Sequence, residues 1–246
     1  MILKRKIYKK LLEWKKECQG KKALLIEGAR RIGKSTICEE FGKSEYKSFL
    51  LIDFAKKDKE VEGYFEKYLN DLDTFFMLLQ THFGTKLTER NSLIIFDEVQ
   101  MFPQARAAIK YLVADGRYDY IETGSLISIR ENVKNIVIPS EERHINMYPL
   151  DFEEFAIALE EDLLVEYIKK CFEKREPLER SMHNQAMLLF HQYMLVGGMP
   201  MPVVTFIESK KDFTEADREK RDILKLYRED IMKIDAKYRS KVLAIY

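Results

Sequence analysis

The stretch that most limits how this chain can fold is EGARRIGKST, Glu27 to Thr36, directly after the apolar run Ala23-Leu24-Leu25-Ile26. Gly28-Ala29-Arg30-Arg31-Ile32-Gly33-Lys34-Ser35 fits G-x-x-x-x-G-K-[S/T] at every fixed position. The spelling has a chemical reason. Backbone N–H groups must converge on phosphate oxygens, which excludes bulky side chains at the glycines. A lysine then adds a point charge on the β- and γ-phosphates, and a hydroxyl offers an oxygen to Mg²⁺. The helix expected after Lys34 aims its positive end at the same anion. Residues 28–36 are therefore the candidate nucleotide-binding set, with Thr36 beginning the helix behind Ser35. Arg30 and Arg31 occupy unconstrained positions; they either stand in solvent or touch phosphate or a neighbouring acid.

About sixty residues further on, Leu93-Ile94-Ile95-Phe96 runs into Asp97-Glu98. A buried strand ending in Asp can hold the hydration shell of Mg²⁺ beside the γ-phosphate. Glu98 is then placed to polarise a water. The metal candidates are Ser35 and Asp97, and the catalytic candidates start with Lys34 and Glu98. A fourth strand candidate ends Ile121-Glu122-Thr123-Gly124-Ser125. If the Asp97 strand lies between the first and fourth strands, Thr123 or Ser125 reaches the γ-phosphate and the attacking water. Ser125 serves equally well as a helix N-cap.

Around these motifs the apolar pattern alternates. Helical spacing covers 7–18, stopping near Gly20, and Lys34–Phe41, with Gly42 as the stop. Tyr64–Phe83 carries one long apolar face, and Gln104–Asp115 ends at Gly116. Strand-like runs fall at 23–26, 48–54, 93–96, 118–123 and 145–148. Strands alternating with helices imply an α/β domain, a five-stranded parallel sheet covered on both faces. The expected division is an N-terminal helix at 1–20 packing on the core, the α/β core at 21–155, and an all-helical lid at 156–246. The last helix puts Tyr227, Ile231, Ile234, Tyr238, Val242 and Tyr246 on one side, a face whose covering calls for chain beyond Tyr246.

The net charge of +1 argues against a strongly basic nucleic-acid footprint and leaves only a local DNA-binding patch open. Cys18, Cys38 and Cys171 are too few and too scattered for a disulfide framework or a zinc site. His82, His144, His183 and His191 pair with nothing at ligand spacing. The charged N-terminus is neither a signal peptide nor a membrane span, which makes a cytoplasmic protein the expectation. Asp53 follows a strand, but no G-x-G-x-x-G precedes it, so a dinucleotide-binding reading fails.

Several separated pieces together resemble the bacterial and archaeal AAA+-like ATPases that carry an uncharacterised, nuclease-like C-terminal domain. They are Arg5-x-x-Tyr8 with Trp14, LLIEGARRIGKST, LIIFDEVQMFP, ETGS, MYPLDFEEF and the VGGMP turn at Val196–Pro200. The resemblance implies an ATP-binding, ATP-hydrolysing P-loop core with a helical lid, in which Lys34, Ser35, Asp97, Glu98 and Gln100 match. Members of that family place Gly-Arg ahead of the P-L-S-F-x-E-F segment. Here Glu142-Arg143 stands there, which makes Arg143 a candidate arginine finger or sensor without the glycine. A neighbouring subunit's arginine is the other source. The reading is a Mg²⁺-dependent ATPase coupling hydrolysis to conformational change, with a protein partner or neighbouring subunit unidentified. Its alternative is a low-turnover, nucleotide-dependent switch for a protein or DNA partner. A small-molecule kinase is less supported, because Glu98 favours water as the acceptor, and a helicase would need a second ATPase-like half.

Overall fold

The computed structural model describes residues 2–125 and 141–231. The chain divides into two compact units, Lys6–Tyr148 and Met1–Arg5 with Pro149–Tyr246. Residue 155, the expected boundary, lies inside a helix of the second unit.

In the first unit, α1 (Ile7–Cys18) leads into β1 (Ala23–Glu27), α2 (Lys34–Glu45) and β2 (Ser48–Asp53). Then come α3 (Lys59–Lys67), α4 (Leu72–Phe83), β3 (Ser92–Asp97), α5 (Pro103–Asp115), β4 (Asp119–Gly124) and β5 (Glu142–Asn146). All strands are parallel, in the order β2-β3-β4-β1-β5. This corrects one expectation: the Asp97 strand, β3, does not lie between the first and fourth strands, because β4 itself stands between β3 and β1. The register pairs Leu25 with Glu122 and Ile26 with Thr123, so alternate residues face opposite sides of the sheet. One side packs Ala23, Leu25, Phe96 and Tyr120 against Ala105, Ala108, Ile109 and Leu112 of α5 and the aromatic faces of α3 and α4. On α1, the buried Trp14 donates its indole N–H to Lys22 O (3.0 Å) and lies against Phe41 of α2.

Three further boundaries differ from the sequence pattern. The expected single helix at 64–83 is two helices, because Asp71 caps α4 by accepting the Thr74 N–H at 3.2 Å. Gly42 does not end α2 but sits inside it. A Cβ there would meet the Phe49 ring at 2.8 Å, so the glycine serves close packing of α2 on β2. The fifth strand covers 142–146 rather than 145–148, because it pairs with β1 from Ala23 opposite Glu142 to Glu27 opposite Asn146.

The second unit is helical: α6 (Phe152–Ala158), α7 (Asp162–Lys174), α8 (Arg180–Val196), α9 (Pro200–Glu208) and α10 (Phe213–Ile231). Asp151 and Glu154 form a reciprocal capping box at the start of α6. Glu154 also pairs with Arg5 Nε at 3.3 Å, both side chains buried. Leu3, Leu150, Phe155, Val196, Val203 and Phe206 share its core. The VGGMP turn and the MYPLDFEEF stretch are one contact: Leu150 donates its N–H to Gly198 O at 2.6 Å, and Tyr193 Oη donates to Leu150 O at 2.9 Å. The part of the expected apolar helical face beyond Ile231, on which the expectation of further chain rests, falls on 232–246, outside the described residues. Among the described residues no single helix is long and apolar enough to cross a membrane.

A Cβ on Gly198 would come within 2.1 Å of Leu150 O, a backbone atom that cannot step aside. Gly198→Ala is expected to destabilise the helical unit by about 1–3 kcal/mol, read as a lower urea midpoint. An unchanged midpoint would show that the turn has room.

Candidate functional site

The loop Gly28–Gly33 turns from β1 into α2 at the carboxyl edge of the sheet, and three features hold its shape. Gly28 lies against β5, where a Cβ would meet Met147 O at 2.4 Å. Met147 in turn donates its N–H to Glu27 O at 2.8 Å. Ile32 is fully buried beneath the loop. Arg31 and Gly33 adopt left-handed backbone, φ 64° and φ 90°, which turns successive peptides toward one side. Glycine takes that conformation freely; for an arginine it costs about 1–2 kcal/mol. Ala29, Arg30, Arg31 and Thr36 are exposed around the rim.

Lys34 opens α2 with its side chain folded into the loop. Its Nζ donates to Gly28 O (3.0 Å) and Ala29 O (2.8 Å), and the residue is buried. Burial lowers its pKa below the usual lysine value, while Glu98 and Asp97 act in the opposite direction. Ser35 Oγ donates to Asp97 Oδ1 at 2.9 Å, and Thr123 Oγ1 donates to the same oxygen. Glu98 N–H donates back to Thr123 Oγ1 at 3.4 Å. Asp97 and Thr123 are buried, at 7% and 0% exposure, whereas Glu98 is half-exposed. The central position of β4 is what sets Thr123 beside Asp97. Ser125 follows β4 by one residue and is half-buried.

Arg143 is not brought to this group. It lies in register with Leu24, well short of the strand ends, and its Nη1 pairs with Glu17 Oε2 of α1 at 2.6 Å. The structure therefore places Arg143 away from Lys34, Ser35 and Asp97 of its own chain.

The residue before it, where the resemblance expected a glycine, belongs to a buried ion pair. Glu142 is buried and takes a two-pronged contact from Arg106 of α5, with Nε at 3.2 Å from Oε1 and Nη2 at 2.9 Å from Oε2. His144 Nε2 lies 3.2 Å from Glu142 Oε2 and its Nδ1 3.5 Å from Glu27 Oε2. Glu122, fully buried on the same sheet face, has its pKa pushed well above the carboxylate range by burial and then by the Glu142 charge, with Arg106 opposing. Sequence reasoning missed this group. Its signal was a glutamate inside the strand Tyr120-Ile121-Glu122-Thr123 and an arginine on the apolar face of α5.

The chain matches the family model described as an AAA domain over residues 20–156, more than half its length. This chain belongs to the AAA-domain family. Its fold is the α/β arrangement of that family, and a nucleotide-binding ATPase is the general type. No curated protein matches the chain. Among solved structures, it is similar to domain III of the replication initiation protein DnaA from Thermotoga maritima, at 16% identity and TM-score 0.40, covering 87% of this chain and 90% of that one. It is also similar to the Aeropyrum pernix ORC1 protein in complex with DNA, at 10% identity and TM-score 0.39, covering 80% and 68%. A third is a signal transduction ATPase with numerous domains and a tetratricopeptide repeat sensor from Pyrococcus horikoshii, at 17% identity and TM-score 0.44. Coverage there is 94% of this chain and 34% of that one. Likeness at these scores assigns no activity to the AAA domain.

Glu122 gives the AAA domain a pH signature. The folded chain keeps this proton, while the unfolded chain releases it near pH ~4.3. The contribution of Glu122 to stability is therefore most favourable below that value and falls as pH rises toward the raised folded pKa. Glu122→Gln keeps the shape without the titration, so its melting temperature should exceed wild type by more at about pH 8 than at about pH 5. A difference that shrinks toward high pH would contradict a buried neutral Glu122.

Proposed function

We propose that the AAA domain binds ATP·Mg²⁺ at the carboxyl ends of β1, β3 and β4 and hydrolyses it. The observation that carries this reading is the Asp97 carboxylate shared by Ser35 and Thr123, with Lys34 in the loop alongside. Hard oxygens in this arrangement suit Mg²⁺. Ser35 would offer its hydroxyl to the ion, and Asp97, 2.9 Å from it, would hold the ion's hydration shell. Among the described residues no group of three or more His, Cys, Asp or Glu could hold a metal, so the remaining ligands would be phosphate oxygens and water. The bound ion would neutralise charge on the β- and γ-phosphates.

The chain's own groups then divide the work. Lys34 exchanges the Gly28 and Ala29 carbonyls for phosphate oxygens, and the N–H groups of residues 29–36 cradle the anion. Glu98 accepts a proton from the attacking water. Thr123 ties the Asp97 strand end to the Glu98 backbone and senses the γ-phosphate, with Ser125 as the second candidate. Arg30 and Arg31, exposed on the rim, carry positive charge next to the phosphates. A transition-state arginine comes from a neighbouring subunit, since Arg143 is held by Glu17. Hydrolysis is coupled to movement of the helical unit. The AAA match ends at residue 156, so the likeness to the subgroup with a further C-terminal domain rests, beyond that point, on the VGGMP turn.

Single-turnover phosphate release tests the reading. Glu98→Gln should lower the rate by about 10²–10⁴-fold while ATP still binds. Equal, slow release from both proteins would favour the nucleotide-dependent switch instead. Lys34→Ala removes charge-assisted hydrogen bonds of about 1.5–3 kcal/mol each and should weaken nucleotide binding by about 10-fold or more. Unchanged affinity would defeat the assignment of the loop.

A further inference from the structure

We infer that Gln100 is a positioning residue for the Glu98 carboxylate, aiming one of its oxygens at the attacking water; the inference rests on the hydrolysis reading above. Glu98 leaves β3 in left-handed backbone, φ 52° and ψ 46°, and opens a 3₁₀ turn over Val99–Met101. Nine described non-glycine residues have positive φ. Gln19, Lys57, Glu160, Arg175, Lys210 and Lys211 follow the ends of helices or 3₁₀ turns, where left-handed backbone is ordinary. Arg90 occupies a turn before β3. The other two, Arg31 and Glu98, both belong to the candidate site. A strained backbone at a reacting position persists only when its surroundings hold it there.

The surroundings of Glu98 do so from two sides. Its N–H is tied to Thr123 Oγ1 at 3.4 Å. The 3₁₀ turn brings Gln100 back over it, and Gln100 Nε2 donates to Glu98 Oε2. Gln100 is itself fixed: it is 6% exposed, between Val99 and Phe102, which both belong to the buried core under α5. The donating end of the amide faces the carboxylate, since its carbonyl end would repel it.

The consequence is chemical. A carboxylate acting as general base needs one oxygen with a lone pair toward the water and a fixed orientation. With Oε2 engaged by Gln100, Oε1 takes no hydrogen bond among the described residues, and rotation about the terminal bond is suppressed. Gln100 touches neither water nor phosphate in this role; it acts through Glu98. The half-exposure of Glu98 makes the tether matter, because a solvent-facing carboxylate without it samples several rotamers.

Gln100→Met keeps the length and suits the buried setting but has no donor. Gln100→Glu keeps the shape and replaces the donor with a second carboxylate. Steady-state ATP hydrolysis, ADP binding and thermal melting are measured for both, for Glu98→Gln and for the Gln100→Met/Glu98→Gln double variant. Positioning predicts that Gln100→Met lowers kcat by about 10-fold or more, with KM and ADP affinity within about 2-fold of wild type. It also predicts that Gln100→Met costs nothing further in the Glu98→Gln background, because both changes disable one unit. Gln100→Glu should lose at least as much as Gln100→Met, and it decides the matter if the methionine variant melts early. A kcat held or raised in Gln100→Met, with Glu98→Gln inactive, overturns positioning and leaves the hydrolysis reading standing. A further loss in the double variant, or a parallel loss of ADP binding, assigns Gln100 a purely structural role. Full turnover in Glu98→Gln would remove both readings together.

Discussion

One carboxylate oxygen organises the sheet's working edge. Asp97 Oδ1 accepts from Ser35 on the first turn of α2 and from Thr123 on β4, partners 62 and 26 residues away in the chain. Each donor reaches it only if its element is correctly seated. α2 must begin at Lys34, β4 must lie beside β3, and β3 must end level with both. A buried aspartate is costly unless its oxygens are satisfied, and the two hydroxyls meet that cost where the strands end. The glycine loop, the strand order and the acidic strand end are thus one constraint seen from three positions.

Much of this was legible in the residues. The loop is readable because its signal is local: glycines, a lysine and a hydroxyl stand at set spacing between an apolar run and a helix. Five strands could be counted because β1, β3 and β4 are short runs buried on both faces and β2 keeps an apolar stretch beside them. Strand order was not legible, since it depends on long-range pairing that no local pattern encodes. The break between α3 and α4 hid for a related reason. Phe65, Tyr68, Leu69, Leu72, Phe75 and Phe76 keep an apolar spacing straight through it, and only the Asp71 cap reveals two helices. Gly42 misled in the opposite direction, because its small size serves the Phe49 ring and not a helix end.

In the candidate site, several residues singled out by their type are brought together, while those whose place depends on a contact were not legible. Lys34, Ser35, Asp97 and Thr123 lie together. Arg143 was placed there by resemblance alone, and its side chain instead spans to Glu17 on α1. Gln100 carried a matching letter without a mechanism until its amide was seen on Glu98. In the helical unit, two motifs 40-odd residues apart turned out to be halves of one backbone contact between Leu150 and Gly198.

The Arg106, Glu122 and Glu142 group has a consequence for descent. Arg106 neutralises Glu142, and Glu122 keeps its proton beside them, so the three form a balanced set within one sheet face. Replacing Arg106 alone strands a buried charge, and replacing Glu142 alone strands the arginine; either loss costs several kcal/mol. Relatives can therefore trade this trio for an apolar filling only by changing its members nearly together. Where a relative carries the glycine at the Glu142 position, it should also lack the arginine on the α5 face. The three residues would then mark a branch of the family by appearing and vanishing as a unit.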